Sequence, residues 1–225
     1  MSEINLDKLK ELYKPLTNEV KPTYTPFAVK ISNGYVGKTG VLFVGKAENM
    51  ENRDNKTIDY AFSKSFSKEN SGMNTILTPP TGKAAKSSFS RVLHLLAKKL
   101  KKSKGINSFA RTNLYKLSTT KTYAFNSEFN VTYLDIFKEE IAILQPKYVI
   151  MLTSGMEKDF LKYLGAKKDE EGKIDFLYKY KGNDQKKEIC RWKIKDVESI
   201  FITAFHPQGK PETELVKAIM SLIQE

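Results

Sequence analysis

The sequence predicts an α/β protein built around a mainly parallel sheet. Two observations carry this. Short continuous apolar runs, Val41-Leu42-Phe43-Val44 among them, have the composition of strands buried on both faces. These runs alternate with segments of helical periodicity, the pattern of βαβ units. The 225 residues suit a single domain, and a chain this long buries a full core without cross-links.

The elements follow in chain order. Residues 5–13 place Leu6, Leu9, Leu12 and Tyr13 on one helical face, and Pro15, Pro22 and Pro26 hold an extended lead-in over the first 30 residues. The first buried strand, 41–44, ends at Gly45. Residues 46–86 are polar, with Tyr60, Phe62 and Phe66 interspersed, and are too long for a passive loop in a compact domain. Residues 87–102 read as a helix with a stripe of Phe89, Val92, Leu93, Leu96 and Leu100. Lys98, Lys99, Lys101 and Lys102 cluster at its end, where they suit the helix dipole or reach phosphates. A strand near 109–117, a helix over 133–144 and a strand over 148–152 come next, with Pro146 breaking the last two apart. A short helix is expected over 156–164. Alternation around Gly182-Asn183-Asp184 predicts a hairpin from 174–180 and 187–194, an insertion within 165–197. A strand over 199–204 and a helix over 211–224 close the chain.

Composition narrows the function. Lys and Arg number 38 against 26 acids, a formal charge of +12, which attracts phosphate polymers or anionic membranes. A surface that lysine merely keeps soluble is the plainer alternative. Cys190 is the single cysteine, so a disulfide within one chain and a four-cysteine iron–sulfur cluster are both excluded. Residues 1–14 read as a charged amphipathic segment and not a signal peptide, and no apolar run approaches the roughly 18 residues a membrane span requires. A cytoplasmic, intracellular protein is expected.

In parallel sheets, ligands collect beyond the carboxyl ends of the strands. Three such ends stand out. After the first strand, Gly45-Lys46-Ala47-Glu48-Asn49 offers a close backbone approach at Gly45 and two polar groups able to hold a water or act as a base, Glu48 and Asn49. An ordinary turn with a solvated Glu is the other reading. The second end holds Thr112-Asn113-Leu114-Tyr115-Lys116, where the Asn113 amide presents a donor and an acceptor together, as a pyrimidine edge requires, or else satisfies loop backbone. The last is Phe205-His206-Pro207-Gln208-Gly209, in which His206 can donate to developing negative charge or serve as a cap.

Taken in this order, the three segments resemble the uracil-DNA glycosylase superfamily. Thr112-Asn113-Leu114-Tyr115-Lys116 and the stretch 139–151 are most similar to its iron–sulfur branch, although Cys190 alone cannot hold that cluster. The resemblance implies a three-layer α/β/α sandwich around a four-stranded mainly parallel sheet, with the hairpin added. It implies hydrolysis of the N-glycosidic bond of uracil, or a related deaminated base, flipped out of single- or double-stranded DNA. By the same resemblance Asn113 reads the base edge and His206 stabilises the departing base. Glu48 or Asn49 places the water, and Gly45, Ala47 and Pro207 are substrate-binding. Phe62 or Tyr60 stacks on the base. Lys46, Lys98, Lys101, Lys102, Lys116 and Gln208 contact DNA. No metal or organic cofactor is implied, and a monomer is expected. The family's usual Pro after the first Gly, and its Asp, have no counterpart at that spacing. A non-catalytic nucleic-acid-binding protein on the same fold is the alternative.

Other motifs do not hold. Gly34-Tyr35-Val36-Gly37-Lys38-Thr39 lacks the spacing of a phosphate-binding loop and precedes a strand where a true loop follows one. His94, His206 and Cys190 do not make a zinc set.

Overall fold

The computed structural model describes residues 5–19, 24–46, 73–119 and 130–223. A seven-stranded mixed sheet organises them. The strands are β2 (Lys30–Ile31), β3 (Val41–Gly45), β4 (Phe109–Asn113), β6 (Tyr148–Leu152), β7 (Ala166–Tyr180), β8 (Asn183–Ile194) and β9 (Val197–Ala204), in the spatial order β2-β4-β3-β6-β9-β8-β7. Two further strands, β1 (Tyr24–Pro26) and β5 (Leu117–Thr119), pair antiparallel as a separate ribbon. The helices are α1 (Leu6–Leu12), α2 (Gly82–Lys86), α3 (Ser88–Lys104), α4 (Asn130–Leu144), α5 (Lys158–Tyr163) and α6 (Glu212–Ile223), with a 3-10 helix over Lys14–Glu19.

This overturns the expected four-stranded, mainly parallel sheet with an added hairpin. β4, β3, β6 and β9 do run parallel, but β2 joins β4 antiparallel, and β8 and β7 extend the other end antiparallel. The hairpin is therefore part of the sheet. Residues 195–196, with Asp196 at φ 60°, turn β8 straight into β9, so the pair Ile194↔Val197 forms and the ladder runs up to Cys190↔Thr203. The strand predicted over 109–117 also divides, into β4 and β5.

Each apolar run feeds both faces of the sheet, because successive strand side chains point to opposite sides. Leu42, Val44, Val149 and Met151 face one core with Leu9 and Tyr13 of α1 and with Tyr133, Phe137 and Leu144 of α4. Val41, Phe43, Ile150 and Leu152 face a second core with Phe89, Leu96 and Leu100 of α3 and with Leu215 and Ile219 of α6. α3 is bounded by Ser87, whose hydroxyl accepts from the Ser90 N–H, and by Gly105 in the left-handed region at φ 66°. Arg91 of α3 grips Glu212 of α6 through both Nε and Nη2. The chain order of the parallel strands reverses between β3 and β6. α3 and α4 accordingly lie on opposite faces, the arrangement that in such sheets sets the ligand crevice beyond the carboxyl ends.

One polar cluster sits inside the first core. Glu140 of α4 accepts from Thr112 Oγ1 of β4 at 2.9 Å, from Lys116 Nζ at 2.7 Å and from the Tyr13 hydroxyl at the end of α1. The Tyr13 hydroxyl also accepts from the Val29 N–H at 3.0 Å. The Glu140 and Lys116 side chains have no exposed surface. Burial pulls the Lys116 amine below its usual range, opposed by Glu140. Removing one partner strands a buried charge, at a cost of about 3–5 kcal/mol, whereas replacing both with apolar groups of similar volume is neutral or stabilising. Urea unfolding should therefore show Glu140→Leu losing about that much stability and Glu140→Leu/Lys116→Met recovering most of it. A double variant no better than the single one would contradict this account.

Candidate active site

The crevice gathers four strand ends. Gly45 ends β3 and pairs in register with Asn113, the last residue of β4. The approach is close enough to require glycine: a Cβ there would lie 2.5 Å from Asn113 Oδ1 and 3.2 Å from Phe89 Cζ. The Asn113 amide and the Phe89 ring thus rest against the same backbone. Asn113 has no exposed surface. The Phe89 ring, at the start of α3, stacks on His206 with centroids 5.9 Å apart and planes 14° apart. It also carries the Arg111 guanidinium 4.9 Å from its centroid.

His206 follows β9 and is held from two sides. Its backbone N–H donates to Ser154 Oγ at 2.7 Å, and its Nδ1 accepts from the Gln208 N–H at 3.4 Å. The ring proton accordingly sits on Nε2, which is a donor. Ser154 belongs to the turn after β6, where it takes φ 58° and Gly155 takes φ 91°. Glu157 ties that turn together by accepting from the Gly155 N–H at 2.8 Å and from the Thr153 hydroxyl. Burial, then the positive charges of Lys46 and Lys210, push the His206 imidazole down to about 4. Burial lowers the amine of Lys46 too, with Glu157 working against it. The half-buried Lys210 donates to the Gln208 carbonyl at 2.9 Å and lies 5.5 Å from the Phe205 ring centroid.

The structure brings Gly45, Lys46, Asn113, His206, Pro207 and Gln208 to one end of the sheet. Ala47, Glu48, Asn49, Tyr60 and Phe62 lie outside the described residues. One assignment to DNA contact changes. Lys116 is buried in an ion pair with Glu140, so it cannot reach a phosphate. Lys98, Lys101 and Lys102 are exposed, but on α3 they lie about 14–20 Å along the axis from Phe89, taking 1.5 Å of rise per residue. That end of α3 leads into the amino end of β4. Four contributors were not singled out from sequence: Phe89, Ser154, Glu157 and Lys210. Ser154-Gly155 follows a buried strand just as Gly45 does, so the strand-end rule applied to 148–152 points to it. Phe89 is indistinguishable by periodicity from the rest of the α3 stripe.

Among the described residues no group of three or more His, Cys, Asp or Glu is placed to hold a metal ion, and no helix is long and apolar enough to cross a membrane. Gly34-Tyr35-Val36-Gly37-Lys38-Thr39 forms the turn before β3 and lies at the amino end of that strand, away from the crevice. In comparisons with known proteins, no family model matches the chain and no curated sequence does.

What the arrangement offers is a neutral N–H donor flanked by two cations. The ordinary histidine value is 6.5 and the folded value about 4. The unfolded chain therefore takes up the proton first, and the stability due to neutral His206 is complete above about pH 6.5 and lost as pH falls toward 4. An NMR titration of the His206 Hε1 resonance should show no inflection between about pH 5 and 8. A midpoint near 6.5 would mean that the ring is solvated and free of the two lysines.

Proposed function

We propose that the chain is a DNA glycosylase-like enzyme that hydrolyses the N-glycosidic bond of uracil or a related deaminated base in DNA. The observation that carries this reading is the neutral His206, with its proton on Nε2, held beside Lys46 and Lys210 at the strand end that also holds Gly45 and Asn113. Cleavage moves the C1′–N bond pair onto the base, leaves positive charge on the sugar, and ends when water adds to C1′ and gives up a proton. Donors aimed at charge that develops in the transition state lower the barrier without reorganisation. A neutral imidazole donates at neutral pH without losing charge, and the two ammonium groups that act with burial to keep it neutral also attract an anionic base. In this reading Asn113 recognises the base edge, and Phe89 supplies an aromatic face. The water is assigned to Glu48 or Asn49 on the resemblance alone.

A second reading, a non-catalytic nucleic-acid-binding protein on this fold, is favoured by a different observation. Asn113 is fully buried and the buried Phe89 ring rests on His206, so neither the amide nor that ring faces open solvent.

Cleavage of a labelled uracil-containing oligonucleotide followed by alkali separates the two. The glycosylase reading expects strand breaks with wild type. His206→Ala should be slowed about 10²–10³-fold, the loss typical of a single oxyanion donor, and Asn113→Ala should be slowed as well. Salt-sensitive binding without product would leave the binding protein.

A further inference from the structure

We infer that the groove between the β7–β8 hairpin and α5 is a binding track for single-stranded DNA running away from the His206 site. This rests on the reading of that site as one that takes a base from DNA.

The hairpin is longer than the sheet it joins. β8 last pairs with β9 at Cys190↔Thr203, while β7 and β8 continue to pair with each other from Ile174↔Ile189 to Tyr180↔Asn183. At about 3.3 Å per residue, this free portion stands about 20 Å beyond the carboxyl end of β9. It leans on the His206 turn: Phe176 and Tyr178 pack on Phe205, with centroids 5.0 and 5.9 Å away. The Tyr180 ring lies 3.1 Å from where a Cβ on Gly209 would be.

Between this wall and the 154–168 segment lies a cavity of about 980 Å³. It adjoins the site through Ser154, Phe205 and Lys210, the first bonded to the His206 backbone and the last acting on its ring. Leu161, Tyr178, Trp192 and Phe205 are among its lining residues, and the Trp192 ring is fixed by an Nε1–H···Oγ1 bond to Thr203 at 2.9 Å. Its charge is lopsided. Both lining acids are engaged, Glu157 by the Thr153–Gly155 turn and Glu188 by Lys168 and Lys173. Lys168 and the Cys190 thiol hold the Glu188 carboxyl down at about 2, so it stays ionised and paired. Lys158, Lys162, Lys167 and Lys187 are exposed, and among the described residues none of them joins an ion pair.

Exposed lysines over aromatic and aliphatic walls suit a chain that presents phosphates and base faces together, the recognition mode of single strands. A duplex turns its bases inward, and a cavity of this volume, in the range of small-ligand pockets, cannot admit one.

The test is fluorescence anisotropy with labelled dT12, which holds no excisable base, over a KCl series. Wild type is compared with Lys162→Gln/Lys187→Gln and with Lys98→Gln/Lys102→Gln, which removes the same charge from the far end of α3. Circular dichroism and urea unfolding confirm that all three fold alike. The groove variant should bind at least tenfold more weakly, with a salt slope shallower by about 1.4, the loss of two single-strand phosphate contacts. The α3 variant should stay within about twofold of wild type, and unlabelled dT12 should compete better than the dT12·dA12 duplex. Equal losses in both variants, no loss in the groove variant, or duplex competing as well as single strand would overturn the inference. Groove-dependent dT12 binding with no uracil excision would defeat the glycosylase reading and leave the track. Excision with groove-independent binding would do the reverse.

Discussion

Three stretches far apart in sequence meet on one buried carboxylate. Glu140 of α4 receives Thr112 of β4, Lys116 from the loop after it, and Tyr13 from the end of α1. A charge without solvent is tolerable only if every lone pair is met, so these segments can pack in one arrangement and not in nearby alternatives. Asn113 lies between two members of this cluster in sequence. Its position against Gly45 is therefore inherited from contacts made on the opposite face of the strand. Because such a pair adds little net stability over an apolar replacement, its role is to define the arrangement.

The chemistry at the crevice depends on a related economy of charge. Lys46 and Lys210 disfavour a proton on His206, and burial does so more strongly. The imidazole is left as a neutral donor in a positive field, an environment that favours an anion close by. Gln208 decides which nitrogen carries the proton, and Ser154 anchors the backbone. The site is thus assembled from the ends of β3, β4, β6 and β9, and none of its members is informative when read by itself.

The mixed sheet changes what surrounds that site. In a four-stranded parallel sheet, β9 would be an edge and the hairpin an appendage. Here β8 caps that edge, and the free portion of the hairpin rises beside the His206 turn. The same continuation covers an otherwise unpaired row of backbone groups and builds the wall of a basic groove.

Much of the local structure was legible in the sequence. The runs 41–44 and 148–152 are apolar at every position, which is the demand of a strand covered on both faces. The stripe from Phe89 to Leu100 has helical spacing, and the hairpin turns at Lys181-Gly182, with Asn183 and Asp184 of the predicted turn already paired in β8. The strand ends themselves were legible too, since Gly45 closes the first apolar run and His206-Pro207 follows the last one. Tertiary structure alone decided that β2 joins β4 and that β8 joins β9, because a strand's own alternation does not say which edge it will lie against. It also decided that Lys116 is buried, since the acid that neutralises it lies 24 residues away on another element, and that Phe89 belongs to the crevice as well as to the core. Charge and periodicity describe a residue's own segment. Burial, ion pairing and contact across the sheet depend on what the rest of the chain brings to meet it.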